Sequence, residues 1–336
     1  MTIDKYGLYD IIKDAHKEFK EYLKRTGIEI KGVRLRVLES SKLLSELSYM
    51  IKTYNKNKNK LKQKLNTIDK ILLEQISNDD EIYIIKEENL RDFYIGEIYL
   101  LKQIYNTDDI NELNKKILEN IIHPIENIKP LAMGVPETKE IYFIKDRLEK
   151  GIDETLYRAG PININGPSII RLGSPMFEVA SVPLYTDGKN IKKDIAKAIT
   201  VNVGIHEEIH FLFNIGELEN TELSVSALQY ITYIDMYNLL KYSKTYEIIE
   251  ENIIKCKNYI ENLSTMGYFA VMGNLPERLL KDFINTFRRA SYDLGYCYAS
   301  IIIDRNKKSS CLNIKDVIKE VRNLSTLDAV NKILYY

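Results

Sequence analysis

The chain has 336 residues, 45% of them hydrophobic and 29% charged. That supports a sizeable core and an ordinary charged surface, in one large domain or two of ~100–200 residues each. Forty-eight basic residues balance 48 acidic ones, so no net field draws the chain to nucleic acid or to an anionic membrane.

The first segment, MTIDKYGLYDIIKDAHKEFKEYLKR, mixes charge and apolar groups at helical spacing. It has no unbroken apolar core of the kind a secretory signal needs. No stretch reaches the ~18 consecutive apolar residues of a membrane span. A soluble, cytoplasmic protein is the expectation. The three cysteines, Cys256, Cys297 and Cys311, are odd in number and lack a CxxC spacing, which argues against a disulfide framework and against a thiolate zinc site.

In chain order, Tyr9, Ile12, His16, Phe19 and Leu23 recur at three- and four-residue steps, which predicts a first helix stopped by Gly27. Ser40 or Ser41 caps a second, through about residue 54. The Lys–Asn run 56–60 reads as a solvated turn or helix face. Further helices are expected over 61–77, 86–106, 109–122 and 137–150, with Pro124, Pro130 and Pro136 at the joins. Residues 1–150 thus form a helical N-terminal region. Glycine and proline then cluster over 151–190, around two strand-like segments, Ser168–Leu172 and Met176–Tyr185. Helix returns over about 191–243, 245–263, 276–303 and 313–335. The fold class is mainly α with a small β-sheet.

The informative segment is 191–213, IKKDIAKAITVNVGIHEEIHFLF. His206 and His210 lie one helical turn apart on one face, so both imidazoles can grip one ion. Glu207 is turned off that face by one residue. It can reach a metal-bound water without being a ligand, the position of a general base. Only four histidines occur in the chain, and two fall in this pentad. Glu208 is an unusual charge directly after the glutamate, and it must find solvent or a partner.

This HExxH segment resembles the zincin superfamily of metallopeptidases, and within it the gluzincin branch, over about residues 200–240. The resemblance implies Zn²⁺ held by His206 and His210, Glu207 polarising the water, and hydrolysis of peptide bonds in a peptide or unfolded polypeptide substrate. No third histidine follows at the metzincin spacing, since FLFNIGELENTE comes after His210. A downstream glutamate is the implied third ligand. If a second helix starts near Glu217, Glu222 lies at matching depth, with Ser226, Gln229 and Tyr233 continuing its stripe. If Thr221 is the cap instead, Glu219 is the better candidate. Asp235 falls on the opposite face.

Zincins also bind substrate along a sheet edge, and Met176–Tyr185 is the candidate edge strand, with Pro183 tolerated there. For an oxyanion donor, Tyr292 and Tyr296, with Arg288 and Arg289, lie on a C-terminal helix. His16 and His123 read as ordinary residues. Two other classes stay open. Glu207-x-x-His210 is also the ExxH step of helical di-iron carboxylate proteins, but no second ExxH is present. A helical scaffold or regulatory protein is the remaining alternative.

Overall fold

The computed structural model describes residues 4–28, 32–39, 131–135, 139–160, 164, 166–174, 177–212, 221–271, 277–307, 312–322 and 324–336. The helices expected over 41–54, 61–77, 86–106 and 109–122, the Lys–Asn run and His123 lie outside these residues.

Helix α1, Leu8–Thr26, buries Leu8, Ile11, Ile12, Ala15, Phe19, Tyr22 and Leu23. Gly27 ends it in the left-handed conformation, with the N–H of Ile28 bonded back to Leu23 O, the stop its glycine foretold. Tyr9 stands exposed rather than on the buried stripe.

A first sheet follows, in the order β1-β3-β2, from β1 Arg34–Leu38, β2 Ala132–Val135 and β3 Glu140–Ile144. β3 is parallel to β1 and antiparallel to β2, with Gly134 opposite Ile141. β3 takes the place of the first part of the helix expected over 137–150, so the N-terminal region is not helical alone. β3 reads EIYFI and is buried at every position. A strand covered on both faces shows a short apolar run instead of alternation, so its period gives no warning. Helix α2, Lys145–Ala159, starts directly where β3 ends, so the helix expected over 137–150 is shifted toward the C-terminus. The division drawn at residue 150 therefore falls inside a helix.

The second sheet is the hairpin of β4, Ser168–Ser174, and β5, Phe177–Thr186, close to the segments read from the sequence. Ile170 faces Leu184 and Leu172 faces Val182, with a register shift before Ser174. Among the described residues the remainder is helical: α3 Ile191–Leu212, α4 Thr221–Met236, a 3₁₀ turn Leu239–Lys241, α5 Ser243–Val271, α6 Glu277–Arg305, α7 Ile314–Arg322 and α8 Thr326–Leu334. The molecule is thus mainly α with small sheets. No described helix is long and apolar enough to cross a membrane.

Three features position the centre. Asn190 caps α3 by accepting from the Lys193 N–H, which satisfies an orphan donor of its first turn. α3 then runs through the core, burying Ile195, Ile199, Val201, Val203, Ile205 and Ile209. Gly295 of α6 lies against α4 so closely that a Cβ would meet Leu223 O at 2.5 Å and Ser226 Cβ at 2.6 Å. Finally, a disulfide between Cys256 and Cys297 joins α5 to α6. The cysteine arithmetic did not anticipate it. Spacing along the chain cannot reveal that two helices bring sulfurs 41 residues apart together. Closing a loop of that length contributes roughly 4 kcal/mol through the unfolded chain. Cys311 is outside the described residues.

Candidate metal centre

α3 presents His206 and His210 toward the start of α4. Their Nε2 atoms lie 3.2 Å apart. Glu222 meets both rings: its Oε2 is 3.3 Å from His206 Nε2 and its Oε1 is 3.6 Å from His210 Nε2. These three are the one group of metal-capable side chains found among the described residues. α4 begins at Thr221, so Glu222 sits in its first turn, the placement under which Glu219 was to be preferred. Depth in the helix mattered less than expected. The first turn of α4 lies beside the last turns of α3, and Gln229, two turns on, meets His206. Glu217 and Glu219 lie outside the described residues. Asp235 is spoken for elsewhere, accepting from the Tyr22 hydroxyl at 2.7 Å.

Do these residues fit a metal? A tetrahedral zinc with ligand bonds of about 2.0–2.2 Å has ligand-to-ligand edges of about 3.3–3.6 Å. The separation of the two Nε2 atoms, 3.2 Å, is close to that length; Glu222 approaches each ring through a different oxygen, and with one donor atom from each residue all three lie within 4.8 Å of one another. Glu222 Oε2 is buried and faces His206 Nε2 at 3.3 Å without hydrogen-bond geometry, which is compatible with an oxygen that takes a cation. His206 carries its second nitrogen against an acceptor, with Nδ1 2.9 Å from Gln229 Oε1, which leaves Nε2 as the coordinating atom. The donor set suits zinc, two imidazoles and a carboxylate.

Without an ion, the cluster holds a charged pair. Burial pushes His206 down, but the bond and charge of Glu222 and the charge of Glu207 outweigh it and hold His206 up at about 9. Burial, with the charge of His206, pushes His210 down to about 4 despite Glu222. Glu222 is held near 2 although burial opposes it, because His210, His206 and the Tyr292 hydroxyl favour its charge. Without an ion, a proton on His206 thus sits where the carboxylates call for positive charge.

Glu207 lies beside the cluster. Its Oε2 accepts from the backbone N–H of Gly134, and burial together with the charge of Glu222 raises its pKa against the pull of His206 and Gly134. Gly134 is on β2, and a Cβ there would meet Glu207 Oε2 at 3.1 Å and Phe211 at 3.2 Å. Sequence reasoning missed this strand. The signal available was the apolar run 131–135 between two prolines. β2 is a strand beside Glu207. On β5, both backbone groups of Ser181 are taken: its N–H donates to Asn252, and its C=O accepts from Asn252 and Tyr230.

Of the two tyrosines, Tyr292 stacks on His206 at 5.6 Å between centroids, bonds Glu222 and is 36% exposed, so it bounds the site on its solvent side. Tyr296 is fully buried and donates to Gln229 Oε1 at 2.7 Å. It sits behind the histidine, so it is not an oxyanion donor as the sequence suggested. Arg288 and Arg289 belong to the part of α6 whose side chains are outside the described set. Glu208 finds its partner in His16 of α1, Oε1 to Nδ1 at 2.7 Å.

No protein-family profile, curated protein or solved structure matches the chain.

Proposed function

We propose that this protein is a zinc-dependent peptidase, with His206, His210 and Glu222 as ligands and Glu207 as general base. The observation that carries the reading is the convergence of those three side chains, whose donor atoms lie within 4.8 Å of one another, with a second, partly buried carboxylate alongside. Zinc held there would polarise a carbonyl and bring the pKa of a coordinated water to about 7. Glu207, with its raised proton affinity, takes a proton from the nucleophile near neutral pH and returns it to the leaving amine. The N–H of Gly134 fixes one oxygen of that carboxylate and so aims the other. Tyr292, at the open side, offers its hydroxyl to the developing oxyanion. β2 gives an extended peptide an edge to pair with, and alternate side chains of that peptide would enter pockets. Helical bulk around the centre favours short or unfolded polypeptides.

A cytoplasmic location goes with this reading. The Cys256–Cys297 bond is compatible with it because both residues are fully buried, which denies attacking thiolates access. Counting free thiols in protein taken from its native cells decides between that and an oxidising compartment.

The test is to supply zinc-free protein with one equivalent of zinc and a pool of quenched fluorescent peptides. Cleavage is expected from the wild type. Glu207→Gln should bind zinc as tightly and lose turnover by about 10²–10⁴-fold. Unchanged turnover in that variant removes the mechanism.

A further inference from the structure

We infer that Gln229 and Tyr296 act as a positioning pair that fixes the His206 ring with Nε2 aimed at Glu222 and His210, and so set the affinity of the centre for zinc. The inference rests on the zinc reading above. It concerns residues that touch neither substrate nor metal.

The hydrogen-bond pattern at Gln229 carries it. One oxygen, Oε1, lies 2.9 Å from His206 Nδ1 and 2.7 Å from the Tyr296 hydroxyl. An amide oxygen has two lone pairs and no proton, so it accepts from both neighbours. That demands N–H at Nδ1 and places the lone pair of the neutral imidazole at Nε2. A flipped amide would turn its NH₂ toward both groups and put the His206 proton on the nitrogen that faces Glu222. Tyr296 donates to Gln229 Oε1; burial, with the charge of Asp293, pushes its pKa far up, so it remains a phenol, and its hydroxyl also bonds Ser226. Gln229 itself is completely buried, as is Tyr296, so water does not compete for these bonds.

The fold brings the pair together at a cost that only one residue type avoids. Tyr296 reaches α4 because Gly295, its neighbour on α6, presents no Cβ to Leu223 O and Ser226. Tyr292, one turn earlier, stacks on the exposed side of the same ring. α6 thus holds His206 from two sides, by stacking and through Gln229.

The experiment measures zinc dissociation constants of the full chain against a chromophoric chelator. The wild type is compared with Gln229→Met, Gln229→Glu, Tyr296→Phe and the double variant Gln229→Met/Tyr296→Phe. Circular dichroism of each zinc-free protein establishes that it is folded. One zinc is expected in the wild type. Gln229→Met should weaken binding by about 10–100-fold, the usual scale for groups that orient a ligand. Gln229→Glu, which still accepts from Nδ1, should keep the wild-type affinity or better it. Tyr296→Phe should cost about fivefold, one neutral hydrogen bond, and that cost should vanish in the Gln229→Met background because it acts through Gln229. If Gln229→Met does not fold, a loss of affinity in Gln229→Glu overturns the inference. Zinc bound by Gln229→Met within twofold of the wild type overturns it alone. So does an equal Tyr296→Phe effect in both backgrounds. A wild type that takes up no zinc overturns the metal reading, and the inference with it.

Discussion

Helix α3 carries two part-buried histidine–glutamate groups on different faces, and they are built in opposite ways. Toward α1, Glu208 and His16 meet at 2.7 Å, a short direct bond that closes the contact. Toward α4, His206, His210 and Glu222 stand 3.2–3.6 Å apart, longer contacts among three groups that could hold a metal ion. The first group is one acid against one base between two helices. The second has three converging groups, an additional acid in Glu207 and a half-open wall in Tyr292. On the proposed zinc reading, neighbouring residues of one sequence motif serve stability on one side and chemistry on the other.

The sharpest way to break this comparison is His16→Ala. It leaves Glu208 buried without its partner, and stability should fall by about 3–5 kcal/mol in chemical denaturation, while zinc affinity stays within twofold. If His16→Ala weakened zinc as much as a ligand variant does, the two faces would be one unit. Glu222→Gln is the reciprocal change. The zinc dissociation constant should rise at least ~100-fold, about 2.7 kcal/mol, as read by chelator competition. An unchanged constant would mean that another carboxylate is the ligand.

Gly295→Ala tests the packing on which the second group depends. Its methyl would press on the backbone of Leu223, where something must shift. A loss of about 1–3 kcal/mol is expected from overpacking, and the melting temperature measures it. The smallest effect, taken per pH unit, is that of pH. Zinc must displace the proton that the metal-free site holds on His206 at about 9, so apparent affinity should fall about tenfold, 1.4 kcal/mol, for each pH unit below that value and level off above it. In the zinc-free protein the sign is the ordinary one for a raised histidine. The pairing stabilises the fold fully below 6.5, the unperturbed value, and this contribution is lost as pH rises through about 9. A pH-independent zinc affinity over that range would show that His206 is not the protonated partner.

What could be read directly was local. HExxH on a helix puts two imidazoles on one side because 3.6 residues make a turn, and the buried stripe and glycine stop of α1 obey the same geometry. The β4–β5 hairpin was marked by its glycine and proline punctuation. Glu222 was named from the stripe it shares with Gln229, though the length of helix ahead of it was misjudged. β3 was missed because burial on both faces erased its alternation.

By itself, then, the sequence determined the α-rich class, the paired imidazoles with their adjacent acid, and a short list of carboxylates to join them. Only the tertiary structure decided that β2 reaches Glu207, that His16 answers Glu208, that Tyr296 stands behind Gln229 and Tyr292 in front of it, and that Cys256 meets Cys297. Each of these joins residues far apart in the chain. Helix and strand periods describe neighbours along the backbone, whereas such meetings depend on how whole elements dock, and that is set by the shape of the shared core.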